Sequence, residues 1–340
     1  MPAESNVLSE SKAPSELNRS AETKGSAKRI SSTNSSAVLA DAAILSQELL
    51  KPGFFRLVLS APELARRCQP GQFVQVRVSD GIDPLLPRPI SIHGFDGEQG
   101  TLSLLYHVAG QGTGKLSRLA AGASLKVWGP LGRGWVMPDH LTKTSSLRDV
   151  DNRIRGSEDL VGGPEDIQTD APGDAGKILP LFVAGGIGVA PLPPLAKAWR
   201  DLGAEAILLY GARSADQTVT ADEFAAMGVD VRIATEDGSA GVTGRVTELL
   251  KGLHTGDKLP LLYACGPKPM LKAVAQLADE RGWPCQVSLE ERMCCGLGAC
   301  LSCVCKKKAD DGKDGGKGWT HAKVCTDGPV FWSREVVWNG

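Results

Sequence analysis

Hydrophobic and polar positions follow one rhythm in the first part of the chain and another in the second. From Val38 to about Pro138, apolar residues come in short runs broken by turn residues. Phe54 to Ser60 reads FFRLVLS, and Gln72 to Val78 (QFVQVRV) alternates after a Pro70–Gly71 turn. Leu102 to Val108 and Ser124 to Trp128 repeat the pattern. Short strands at this spacing predict a small antiparallel barrel over 38–138. From Lys177 the runs lengthen: Ile178–Ala184, Ala206–Tyr210, Val229–Ala234 and Leu259–Tyr263 are strand candidates. Between or after them lie helix-spaced stretches: one through Trp199, then Ala221–Met227, Gly244–Lys251 and Lys268–Glu280. Strands alternating with helices predict a parallel doubly wound α/β sheet over 177–285.

Three stretches fall outside both rhythms. Residues 1–37 are rich in Ser, Ala, Lys and Glu and have too few apolar groups to order themselves, so a disordered extension is expected. Residues 139–176 are polar and long for a loop, which predicts a linker or insertion. Residues 286–340 form a tail crowded with cysteine. Ile178 to Trp199 approaches a membrane span in length, but Gly185, Gly186, Gly188, Pro191, Pro193 and Pro194 suit a strand, a tight loop and a helix start instead. A formal net charge of −1 over 340 residues gives no electrostatic footprint for nucleic acid. The expected chain works in a cytoplasmic, reducing compartment with no membrane partner: its nine cysteines are odd in number and no secretory signal precedes them.

Six cysteines share the tail. Cys295, Cys300 and Cys303 stand as C-x4-C-x2-C, with Cys325 further on. That spacing is the plant-type [2Fe–2S] pattern, in which four soft thiolates wrap two irons. Gly296 and Gly298 let the loop curl, and backbone N–H groups can then point at the sulfurs. A structural zinc site is the competing reading. Cys294 and Cys305 are spare, and Cys305 competes with Cys325 for the fourth place, with Cys325 preferred.

Two further motifs suggest nucleotide cofactors. Arg88–Pro89–Ile90–Ser91 opens a strand, and Arg88 offers a charged fork for a pyrophosphate. Leu105–Tyr106–His107 and Gly112–Thr113 follow; a glycine beside a hydroxyl at a helix start makes an anion nest, and Tyr106 offers an aromatic face. Gly185–Gly186–Ile187–Gly188 with Pro191 then sits between a buried strand and a helix, as a dinucleotide loop does. Cys265–Gly266–Pro267 ends another strand, placing Cys265 beside a nicotinamide or leaving it a buried thiol. Arg213 and Ser214, where an acid would mark NAD, leave NAD against NADP open.

R-P-I-S with G-T, then G-G-I-G-V-A-P and C-G-P-K-P-M, resembles the ferredoxin–NADP reductase superfamily. The tail, E-E-R-M-C-C-G-L-G-A-C-L-S-C-V-C with V-C-T-D-G-P-V-F at Val324–Phe331, is similar to the iron–sulfur electron-transfer subunits of two-component (class 1B) dihydroorotate dehydrogenases. The resemblance covers about Val38 to Phe331, less the insertion. It implies an FAD-binding barrel, an NAD-binding α/β domain and a [2Fe–2S] tail. It also implies an FMN-containing catalytic partner, in a heterotetramer of two of each chain. Electrons would pass from that FMN through the cluster and FAD to NAD, in pyrimidine biosynthesis, and this chain would hold no acid–base machinery of its own. Arg88, Pro89, Ile90, Ser91, Leu105, Tyr106, His107, Gly112 and Thr113 fall on the FAD positions. Cys295, Cys300, Cys303 and Cys325 fall on the cluster ligands. The long Lys- and Gly-rich gap before Cys325 departs from the pattern. Subunits of electron-bifurcating NADH-dependent ferredoxin–NADP reductases or sulfide dehydrogenases share this architecture and are the alternative.

Overall fold

A computed structural model describes residues 37–79, 81–136, 178–309 and 318–338. The expected extension and the 139–176 insertion lie outside the described residues. Six strands close an antiparallel barrel: β1 (Val38–Lys51), β2 (Phe54–Ser60), β3 (Phe73–Arg77), β4 (Arg88–Asp96), β5 (Thr101–His107) and β6 (Ser124–Leu131), in the order β1-β2-β5-β4-β3-β6. The four segments expected to be strands are strands within a few residues. β1 was not among them. Its sequence alternates poorly because the strand is bulged between Ile44 and Ser46 and again between Leu49 and Lys51. Leu57, Leu59, Val74, Ile92, Leu104 and Val127 fill the barrel and are fully enclosed.

The second sheet runs β10 (Val242–Thr243), β9 (Asp230–Thr235), β8 (Ile207–Ala212), β7 (Ile178–Gly185), β11 (Leu259–Cys265), β12 (Cys285–Ser288), β15 (Val330–Trp332). Its first six strands are parallel, as the alternation of strand and helix predicts. β7 is buried along its whole length because helices cover both faces. One face packs on Leu195 and Trp199 of α3 (Pro193–Asp201) and Phe224 of α4 (Ala221–Ala226). The other packs on Val246 and Leu250 of α5 (Val246–Lys251) and Leu271 and Val274 of α6 (Lys268–Glu280).

The C-terminal subdomain docks on the sheet through a strand of its own. β15 pairs antiparallel with β12 and makes the sheet mixed, so the division drawn at 285/286 cuts through a strand. Cys303, Val324 and Cys325 join the core that holds Leu181 and Val183. A hairpin of β13 (Val304–Lys308) and β14 (Trp319–Lys323) carries the chain between the cysteines. No helix among the described residues is long and apolar enough to cross a membrane.

Barrel and sheet meet through a polar contact. His93 of β4 presents Nδ1 at 3.0 Å to the Ala190 carbonyl and Nε2 at 3.1 Å to Glu223 of α4. Arg56 of β2 pairs with the other oxygen of Glu223. An acceptor at each ring nitrogen favours the charged imidazolium. Burial opposes it and holds the ring down to about 4, with Arg56 adding repulsion. Burial dominates at a site only 5% exposed. The ring therefore enters the fold neutral, while the unfolded chain protonates it near 6.5. Stability from this group is full above pH 6.5 and falls as pH drops toward 4, by up to about 3 kcal/mol. Urea midpoints across that range should fall more steeply for the native chain than for His93→Gln; parallel profiles would show that the folded ring takes up its proton as readily as the unfolded one.

Candidate functional site

The strand order turns back at β7, which has β8 on one side and β11 on the other. Ligands of open α/β sheets sit at the carboxyl ends of the strands flanking such a switch point. Both glycine motifs are there. Gly186 has φ +53° and a Cβ on it would meet nothing within 4 Å, so its backbone faces open space. The Tyr210 hydroxyl lies 3.0 Å from the Gly186 carbonyl and fixes the loop. A Cβ on Gly185 would stand 2.8 Å from Pro267 Cδ, and one on Gly188 would stand 2.7 Å from Gly266 Cα. The Gly185–Gly188 and Cys265–Pro267 loops are thus pressed together, and glycine is what permits it. Pro191 is buried, and its carbonyl lies 3.4 Å from Trp135 Nε1. Of the two readings of Cys265, the side chain takes the buried one: the residue is 1% exposed, bonded to Ser288, and burial pushes its thiol far up. The Cys265 backbone borders the site and its side chain does not.

On the barrel, Arg88 Nη1 donates to the Leu86 carbonyl at 2.9 Å and to the Pro87 carbonyl at 3.3 Å. A Cβ on Gly112 would stand 2.7 Å from Arg88 Cζ. The structure therefore brings the two motifs together, the guanidinium lying over the first turn of α2 (Gln111–Leu116). Pro89 is exposed, Ser91 is half-buried, and Ile90 points into the barrel core. Leu105 belongs to the core shared with the sheet, and His107 packs on Phe54 at 4.5 Å between ring centroids. The side chains of Tyr106 and Thr113 are engaged within the barrel domain. The Tyr106 ring is buried in the barrel against Phe55, and its hydroxyl donates to Gln47 Oε1 at 3.0 Å, so it offers no face to a ligand. The Thr113 hydroxyl accepts from Ala109 N at 3.0 Å and Gly110 N at 3.2 Å; it caps the turn and is not free for an anion.

Cys294 and Cys295 both lie beside Cys300, and Cys325 lies beside Cys303 and within reach of the Cys295 charge. Cys295 and Cys300 share a side-chain hydrogen bond, as do Cys303 and Cys325. Among the described residues no three His, Cys, Asp or Glu side chains converge as a single ion requires. The C-x4-C-x2-C spacing with Cys325 beyond it suits a two-iron cluster better than a tetrahedral zinc. Gly296 and Gly298 have φ +68° and +75°, which curls the loop. Leu297 N donates to Cys295 Sγ at 3.3 Å, and the Gly298 N–H bonds Cys325. The Ser302 hydroxyl and backbone draw the exposed Cys300 thiol down to about 6, toward the thiolate that iron requires. Cys294 leans on Cys300. Burial and the Glu291 carboxylate raise the Cys305 thiol, with Lys268 opposing.

Comparison with known proteins agrees with this geometry. Residues 290–337 match the iron–sulfur cluster binding domain of dihydroorotate dehydrogenase B, and residues 182–276 match an oxidoreductase NAD-binding domain. The dihydroorotate dehydrogenase B (NAD(+)) electron transfer subunit of Geobacillus thermodenitrificans is 38% identical over 296 residues, covering 86% of this chain and 96% of that protein. The chain belongs to this family of electron transfer subunits. The family member from Desulforamulus reducens is 37% identical over 299 residues, covering 88% and 98%. A solved NADH-dependent reduced ferredoxin–NADP oxidoreductase superposes with TM-score 0.68 at 25% identity, covering 88% of this chain and 91% of that one. A ferredoxin–NADP reductase from Neisseria gonorrhoeae, at 16% identity and TM-score 0.51 over 72% of this chain and 92% of that one, shares the fold. Membership in the electron transfer family makes this chain an oxidoreductase subunit with an iron–sulfur domain and an NAD domain.

The sequence reading did not single out Gln75, Trp128, His93 or Glu223. A glutamine inside the buried run Phe73–Val76 was the one available signal for the first.

Proposed function

We propose that this chain carries electrons between an FMN-containing dihydroorotate dehydrogenase subunit and NAD. The observation that carries the reading is the seat of the cysteine tail. Cys303 and Cys325 pack into the core of the NAD sheet, while a Cβ on Gly296 would stand 3.0 Å from Leu131 of the barrel. Residues for three redox groups therefore lie on one rigid frame. Cys295, Cys300, Cys303 and Cys325 would hold a [2Fe–2S] cluster. Arg88, with Ser91 and the Gly112 turn, would hold FAD. Gly185–Gly188 and Gly266–Pro267 would hold NAD. When bound, the flavin exchanges electrons in pairs with nicotinamide and singly with the cluster. The protein's part is to bind, align and shield them, and the Arg56–Glu223–His93 contact locks barrel to sheet. Leu297 and Leu301, 53% and 60% exposed beside the cysteines, form an apolar rim on which the partner docks, two of each chain to an assembly.

The chain should be purified anaerobically with the candidate catalytic subunit, given dihydroorotate and NAD, and followed for NADH. NADH should form only when both chains are present. No NADH with flavin and cluster spectra intact would shift the reading to an electron-bifurcating reductase, the class of the solved relative at TM-score 0.68.

A further inference from the structure

Gln75 is 1% exposed, yet neither its Nε2 nor its Oε1 has a hydrogen-bond partner among the described residues. The indole Nε1 of Trp128 is buried in the same condition. An unmet buried amide costs roughly 1–3 kcal/mol, and such groups call for an explanation. These two residues are neighbours. Gln75 of β3 stands directly across from Trp128 of β6, so both side chains leave the same face of the barrel. They line a cavity of about 270 Å³ together with Leu39, Pro87, Cys295 and Leu297. A Cβ on Gly296, the residue after Cys295, would stand 3.2 Å from Gln75 Cγ and 3.4 Å from Gln75 Nε2. On its other side Gln75 pairs with Pro89, within the motif proposed for FAD.

We infer that Gln75 is a positioning residue for electron transfer: its Nε2–H donates to the Cys295 sulfur when the cluster is in place, and so sets the cluster's potential. This rests on the cluster assignment proposed above. The NH₂ end of the amide lies toward the cysteine loop, since Nε2 is the Gln75 atom that a Cβ on Gly296 would approach at 3.4 Å. The rest of the lining is Leu39, Leu85, Pro87 and Leu297 with the cations Arg77 and Lys126, which leaves the Cys295 thiolate as the side-chain acceptor for the amide on the cavity wall. A hydrogen bond to a cluster sulfur favours the reduced state, which carries more negative charge, and raises the potential.

The test is a redox titration of the full, cluster-loaded chain followed by electron paramagnetic resonance. Gln75→Met keeps the side-chain volume and removes both polar ends. At the native midpoint, its ratio of reduced to oxidised cluster should fall at least fourfold. That is a downward shift of about 35 mV for one electron, at about 59 mV per tenfold. Gln75→Glu keeps the shape without the amide donor and should shift the same way; it serves if the methionine variant does not load. A midpoint unchanged in the loaded variant overturns the inference while the cluster assignment stands. A native chain that loads no two-iron cluster overturns the assignment itself.

Discussion

Cys325→Ala should strip the cluster from the purified chain, whereas Cys305→Ala should leave it. The two thiols lie on opposite sides of a hairpin and meet different surroundings. Cys325 is fully enclosed on the turn that follows β14, and its place is held by backbone. Val324 N donates to the Cys303 carbonyl at 2.9 Å, and Asp327 N returns to the Lys323 carbonyl at 2.7 Å. The Asp327 carboxylate closes the same turn by accepting from Lys323 N at 2.7 Å. This rigid turn presses the Cys325 sulfur on Cys303. Burial pushes the Cys325 thiol up to about 12, and iron would have to displace that proton. Cys305 sits within β13 across from Ala322, where burial and the Glu291 carboxylate raise it to about 11. Losing an outer residue of a metal site lowers affinity about 10- to 100-fold, and losing a ligand exceeds that. Iron content and visible absorbance of Cys325→Ala should therefore fall below about one tenth of the native value. NADH oxidation by artificial dyes should persist, and dihydroorotate-dependent NADH formation should vanish. Loss of the cluster from Cys305→Ala instead would reverse the ligand assignment.

Gly188→Ala should be among the costliest single-methyl additions in the chain. The new Cβ would meet the Cys265 carbonyl and would stand 2.6 Å from its carbon and 2.7 Å from Gly266 Cα. All three are backbone atoms at the end of a central strand, so no rotamer relieves the clash. Either β7 or β11 must shift, and overpacking of this kind costs about 3 kcal/mol. Gly203→Ala is the control. Gly203 has φ +78° with nothing within 4 Å of a Cβ, so it carries only the left-handed backbone penalty of about 1–2 kcal/mol. Urea midpoints should rank native, Gly203→Ala, Gly188→Ala. The KM for NADH in dye reduction should rise only for Gly188→Ala, because only that change parts the two loops at the switch point. Equal midpoints for the two variants would mean that the loops do not meet as described.

The central strands were easy to read because burial on both faces leaves an unbroken apolar run, as in ILPLFVA at Ile178–Ala184. The helix at Lys268–Glu280 was legible to the residue, since one apolar stripe repeats through it. β1 escaped, because bulges interrupt the two-residue alternation on which strand reading depends. The directions of the Tyr106 and Cys265 side chains were illegible for a related reason. A motif places a residue near a site, but alternation along the strand decides which way its side chain points, and both point inward.

The sequence by itself determined the two-rhythm architecture, the order of the motifs and the cysteine spacing. Those are properties of neighbours along the chain, where period and turn chemistry act locally. Only the tertiary structure decided that Cys325 and not Cys305 meets Cys303, that the tail completes the sheet, and that Gln75 stands unpaired beside Cys295. Each of these depends on residues brought together from distant segments by packing and strand register, which local periodicity does not encode.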